Sequence, residues 1–208
     1  MRHQQLAEVL YSLAQVIHRI EVTLSPDHWL FAKVQLAERL ERFGDSMAAT
    51  QIRMEIYHDA PKEIEAGFEA IRKYSEHVPQ YHVDANRLKC EQALLCYSSA
   101  VPKVADYLYS GGAVDEASKL LISAIDYYGG LSSDAQQLDG RRRTFDTLTI
   151  GFATFHEELA RLLAELEDLG GSVFHLEEAL RSRRGDAVNA WEKLGRLVEK
   201  HGADKLRF

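Results

Sequence analysis

An all-α fold is predicted by three observations. Apolar residues recur at steps of three and four along nearly the whole chain. Glycine and proline fall between these runs, where helices stop and start. The one β-like run, Thr147-Leu148-Thr149-Ile150, continues into the helical series Phe152, Phe155, Leu159, Leu162, Leu166 and Leu169.

The first expected helix, 3–23, carries Leu6, Leu10, Leu13, Ile17 and Ile20, followed by Leu24, at the steps of a coiled-coil seam. Ser25-Pro26-Asp27 opens the second, 27–43, with a cap and a proline near its first position. Gly44 closes that helix and Asp45 caps a third, 45–59. Pro61 has no N–H to continue a helix, so it is expected to separate 45–59 from 62–77, which Pro79 ends. Asp84 caps a helix over 84–99, and a short one, 101–110, runs up to Gly111-Gly112. The next, 113–128, stops at Gly129-Gly130; a long helix, 141–169, stops at Gly170-Gly171. Helices 172–184 and 186–201 complete the chain, divided by Gly185 and the cap Asp186 and closed by Gly202. The short connections make neighbouring helices antiparallel hairpins.

With 208 residues, 46% of them hydrophobic, the chain can bury one sizeable core. A single domain over 1–208 is expected: an N-terminal helix (1–25), hairpins (26–131) and C-terminal helices (132–208). Lys and Arg total 25 against 32 Asp and Glu, a net charge of −7, and each successive quarter carries −1 or −2. Without a basic stripe or tail, the composition argues against a dedicated nucleic-acid or anionic-membrane binder. No apolar h-region follows Met1, and the longest uncharged stretch, Gln92–Pro102, is too short to span a bilayer. Cys90 and Cys96 would lie about 240° apart on one helix, which suits neither a bridge nor a shared metal. Buried free thiols in a reducing cytoplasm are the reading that follows.

A spacing recurs within this pattern. Gly44…Ala49, Gly112…Ala117 and Gly185…Ala190 each set a small residue five places after a turn glycine, and the first two glycines are 68 residues apart, twice 34. Around Gly112 the pattern is fullest: Val101, Val104, Ala105 and Leu108 precede the turn, and Ala117, Leu121 and Ala124 follow it. The segment Ala105-Asp106-Tyr107-Leu108-Tyr109-Ser110-Gly111-Gly112-Ala113-Val114-Asp115-Glu116-Ala117 resembles the tetratricopeptide repeat, a helix–turn–helix unit of 34 residues. The resemblance covers about 30–131. It implies stacked hairpins in a solenoid, with long N- and C-terminal helices as caps; an irregular helical bundle is the alternative. Lys33 and Arg53 depart from the pattern, since the repeat fills their positions with large apolar side chains.

The candidates for chemistry are few. His28, the His58-Asp59 pair and Asp106 follow the order in which HD-type phosphohydrolases hold a divalent metal, and Lys103-Val104-Ala105-Asp106 resembles that family's distal stretch. A helix-end His58 and a turn Asp59 before Pro61 explain the same residues without a metal. Glu55-x-x-His58 is half of a di-iron motif, but Ala153 stands where a second Glu would precede His156. Arg53…His58 and Arg72…His77 have the Arg-x4-His spacing of HEPN-type RNases, a pattern cheap enough to occur twice. Arg141-Arg142-Arg143 and Arg181, Arg183 and Arg184 are flanked by acids and read as solvated helix ends.

The expectation is therefore a non-catalytic cytoplasmic scaffold or adaptor that binds a protein or peptide and needs no cofactor or metal. The resemblance assigns its groove to Phe31, Val34, Glu38, Arg42, Asp106 and Tyr109. The phosphohydrolase is the first alternative. A structural subunit of a larger assembly is the second, with a homodimer formed through Leu6/Leu10/Leu13/Ile17/Ile20 or Leu159/Leu162/Leu166.

Overall fold

A computed structural model of the chain describes residues 26–74, 80–137, 142–182 and 195–196. Among the described residues six helices pack together: α1 (Pro26–Arg42), α2 (Ser46–Tyr74), α3 (Gln80–Ser110), α4 (Val114–Gln137), α5 (Arg142–Glu165) and α6 (Leu169–Ser182). No strand occurs among the described residues. Helices α1 and α2, α3 and α4, and α5 and α6 form hairpins, and these stack in chain order because α3 lies against both α1 and α5. Helix α3 also packs on α2 and α4, so it is the centre of the fold. None of these helices is long and apolar enough to cross a membrane. The expected helix over 3–23, its leucine seam and the Gly185…Ala190 element lie outside the described residues.

Two long helices replace four short ones. Helix α2 runs through Pro61, and α3 runs through Asp84 and Pro102. An interior proline costs a helix about 3 kcal/mol. Here the apolar stripe offsets it: Ile56, Ala60, Ile64, Phe68 and Ile71 are buried on both sides of Pro61, and Tyr97, Val101, Val104 and Ala105 on both sides of Pro102. Each buried large side chain contributes about 1.5–3 kcal/mol, so keeping the stripe on one continuous face outweighs the missing hydrogen bond. The same reasoning corrects the end of α4. It continues through Gly129-Gly130 to Gln137 because Tyr128 and Leu131 extend the buried series Leu121, Ala124.

The three hairpin turns are copies of one hydrogen-bond pattern. In the first, the Asp45 N–H donates to Leu40 O at 2.9 Å and the Gly44 N–H to Glu41 O at 3.0 Å; Gly44 has φ +83°. In the second, the Ala113 N–H donates to Leu108 O at 2.9 Å and the Gly112 N–H to Tyr109 O at 2.9 Å, with φ +84° at Gly112. This is the Schellman arrangement, which needs a left-handed residue. The third copy falls at Glu167, not at Gly170-Gly171: the Asp168 N–H donates to Leu163 O at 2.9 Å and Glu167 has φ +66°. Asp45 and Asp168 then cap the following helices, accepting from the N–H of Ala48 and of Gly171, each at 3.0 Å. A Cβ on Gly171 would stand 2.7 Å from the Asp168 carboxylate and 3.0 Å from Leu163 Cδ1, so glycine leaves these side chains their room. In all three hairpins the residue five places after the turn, Ala49, Ala117 or Ser172, is fully buried at the crossing.

One cluster of buried side chains runs from Leu30 in α1 to Leu162 in α5. Its centre is aromatic: Tyr97 stacks on Tyr57 and on Tyr128, both with ring centres 5.6 Å apart, and Phe155 meets Tyr128 edge-on at 4.9 Å. The Tyr128 hydroxyl donates to Leu94 O at 2.7 Å and the Tyr127 hydroxyl to Pro61 O at 3.3 Å. Helix α5 reaches this cluster only because residue 151 is glycine, where a Cβ would lie 2.4 Å from the Tyr128 ring and 3.2 Å from Ser98 Cβ. Leu159 and Leu162 belong to this core at 1% and 0% exposure, which corrects their expectation as a dimer seam; only Leu166, in the turn, is exposed.

Two substitutions test this packing. Gly151→Ala gains up to about 1 kcal/mol of helix propensity, but the clash with an immobile Tyr128 is larger. A net loss of about 1–3 kcal/mol is expected in urea unfolding. Glu167→Gly should act oppositely, raising stability by about 0.5–1 kcal/mol by relieving the left-handed conformation, read as a higher denaturation midpoint at unchanged slope.

Candidate functional site

A cleft of about 230 Å³ opens where α1 passes α3, with α2 behind it. Val34, Glu38, Glu41 and Arg42 line it from α1, Arg53 and Ile56 from α2, and Ser99, Ala100 and Lys103 from α3. The floor is apolar, since Ile56 and Ala100 are buried and Val34 packs against the core. The rim is charged because both the last turns of α1 and the exposed side of α3 carry polar residues there.

Two cations that break the repeat pattern explain how this hairpin is held. Arg53, buried in α2, donates to Glu41 of α1 at 2.7 Å, and Lys103 of α3 stands 3.9 Å from the same carboxylate. The Arg53 hydrogen bond, against some desolvation and with the attraction of Arg53 and Lys103, holds the Glu41 carboxyl below its ordinary range. Lys33, buried in α1, lies 3.0 Å from both Glu55 and Asp59 of α2 and 4.8 Å from the Trp29 ring centre. Burial pulls the Asp59 carboxyl upward, but the hydrogen bond and charge of Lys33, with Lys62, outweigh it and hold it low. A buried cation without such partners would cost several kcal/mol. Paired, each one fixes the register of α1 on α2.

The six groove residues separate into two groups. Val34, Glu38 and Arg42 line the cleft, and Phe31 lies on the same face of α1, 55% exposed, one turn before Val34. Among the described residues, neither Glu38 nor Arg42 has a salt-bridge partner. Asp106 and Tyr109 lie elsewhere, at the end of α3 against α5: Asp106 pairs with Arg161, and the neighbouring Glu165 raises the Tyr109 hydroxyl's pKa. Helix phase alone could not separate these groups, because it gives the face of a helix and not which neighbour covers it.

The metal-binding order does not converge among the described residues. Tyr57 stacks on Tyr97, so His58 and Asp59 are level with that part of α3, and Asp106 lies nine residues further, roughly 13 Å along the axis. Asp59 and Asp106 are each committed to a different cation, and the His28 side chain lies outside the described residues. No group of three or more His, Cys, Asp or Glu side chains among the described residues is arranged to hold a metal ion. Glu55 of the half di-iron motif is bound to Lys33. Burial pushes the Cys90 thiol up to about 12, helped by Glu91, and the Cys96 thiol up to about 11; both are free and buried.

One polar pair has no counterpart in the sequence reading. His156 of α5 and His175 of α6 face each other with their Nδ1 atoms 2.8 Å apart. His156 is 4% exposed, and its Nε2 is buried without a hydrogen-bond partner. A turn centred on Gly170 would have set His156 opposite about residue 184; the turn at Glu167 sets it opposite about residue 178, within one helical turn of His175. The missing signal was therefore the position of a turn that lacks glycine.

No family model matches this sequence, and no curated protein matches it.

The Glu41–Arg53 pair makes a testable statement about pH. Because its folded-state pKa is lowered, Glu41 contributes stability that is present above its unfolded-state value and lost as pH falls through the folded one. Glu41→Gln should cost about 1 kcal/mol at neutral pH, a figure discounted for the carboxylate's partial exposure. The urea midpoints of variant and wild type should converge on acidification.

Proposed function

We propose that the chain is a non-catalytic helical scaffold that binds a segment of a partner protein in the cleft between α1 and α3. The observation that carries this reading is the cleft itself. An apolar floor of Val34, Ile56 and Ala100 is rimmed by Glu38, Arg42 and Lys103. Apolar contact supplies affinity and the rim charges set the orientation of the bound segment. Phe31, Val34, Glu38 and Arg42 stand at i, i+3, i+7 and i+11 of α1, a single stripe that an extended or helical segment can follow. The resemblance of about 30–131 to tetratricopeptide hairpins supports the same use of the first helix of each hairpin, in a cytoplasmic adaptor. On this reading Asp106 and Tyr109 serve the α3–α5 contact and are not part of the groove.

The test is cross-linking in cell extract to identify the bound segment, followed by titration calorimetry with that segment as a synthetic peptide. Phe31→Ala, Val34→Asp and Arg42→Glu should each weaken binding at least fivefold, about 1 kcal/mol or more. Asp106→Asn should leave it unchanged. Equal affinity across all four variants would overturn the cleft. Stoichiometric iron, manganese or zinc lost on His28→Ala or His58→Ala would replace the scaffold by the phosphohydrolase.

A further inference from the structure

We propose that the His156–His175 pair is an acid-sensitive latch that holds α6 on α5 while at least one ring is neutral and releases it when both are protonated. The geometry requires this. At 2.8 Å between Nδ1 atoms, one ring donates its N–H and the other accepts with a lone pair. A first added proton is compatible with the contact and turns it into a charge-assisted hydrogen bond. The second proton, whichever ring takes it, leaves an N–H on both Nδ1 atoms. Two donors and two cations then face each other, and the contact cannot persist.

The surroundings assign the order. The charges acting on the pair are Glu178 of α6 and Asp168 of the turn, both on the side of His175, which is half-buried. They favour its cation, although burial opposes them and leaves its pKa lowered. His156 has the buried side. Phe152 of α5 packs on its ring at 4.5 Å and Glu157 is its buried neighbour in the chain; on the adjoining face of α5, Tyr97 and Tyr128 meet Phe155, Ser98 and Tyr128 lie against Gly151, and Asp106 of α3 is paired with Arg161. Burial and the neighbouring His175 accordingly push His156 down to about 4. His175 is thus the first to charge and His156 the last, as two macroscopic steps of one pair. The unfolded chain takes up these protons near pH 6.5, so the folded hairpin loses stability throughout the fall from there towards pH 4.

Release would uncover Ala153 of α5 together with Val173, Leu176 and Ala179 of α6, all buried in the closed state. Hydrogen–deuterium exchange of the full chain, corrected for intrinsic rates, tests the latch. Protection in α6 should fall at least tenfold between pH 7 and pH 4, with less than a threefold change in α3. His175→Gln, which can donate or accept but cannot become charged, should keep α6 protected at pH 4. Unchanged wild-type protection at pH 4, or equal loss in the variant, would overturn the proposal. If the variant does not fold, NMR titration of the wild-type imidazoles decides: coupled titration with a last step below about pH 5 supports the latch, and two independent titrations near pH 6.5 sink it.

Discussion

The approach of α5 to the Tyr128 ring is the contact on which the rest of the fold depends. Tyr128 is anchored at its hydroxyl to the backbone of α3, stacked on Tyr97 and met edge-on by Phe155. Its flank is therefore a rigid surface, and Gly151 lets the α5 backbone settle directly on it. With that seat taken, Leu148, Phe155, Leu159 and Leu162 fall into register with the core, and α6 follows by its short turn. A similar device joins α2 to α3, where a Cβ on Gly67 would stand 2.9 Å from Cys90 Cβ. Close approach of long helices here is set by single missing side chains facing well-supported neighbours.

The first hairpin solves the same problem by charge. Lys33 and Arg53 occupy interface positions where apolar residues would pack without any electrostatic requirement, and each takes its carboxylates from the opposite helix. An ion pair of this kind adds little net stability over a hydrophobic substitute, because desolvation consumes most of the attraction. What it adds is selectivity of alignment: sliding α1 by one turn would strand both cations. That alignment also sets where Glu38 and Arg42 stand relative to Lys103 across the cleft.

Much of this was legible in the residues. The helical class followed from periodicity, and two of the three turns from glycines with a small residue five places on. The repeat resemblance is what singled out Val34, Glu38 and Arg42 of α1, which line the cleft. Pro61 misled because its cost is local, whereas the burial that outweighs it is summed over neighbours invisible to a single segment. Glu167 misled for the converse reason. A non-glycine residue tolerates the left-handed region when the Asp168 cap and the buried Ser172 hold the turn around it. Asp106 was read as a groove residue and as a candidate distal metal ligand, whereas its commitment to Arg161 spans 55 residues and depends on the whole stack.

The central place of α3 has a consequence for how the molecule opens. A helix at one end of the stack can detach by giving up one or two neighbours, so such segments exchange their amide hydrogens through small, sub-global excursions. Helix α3 lies against α1, α2, α4 and α5 at once. It cannot leave without dismantling the aromatic cluster, both flanking hairpins and the floor of the cleft. Its slowest amides must therefore exchange only through global unfolding, which among the described helices grades opening from α1 and α6 to the cooperative α3.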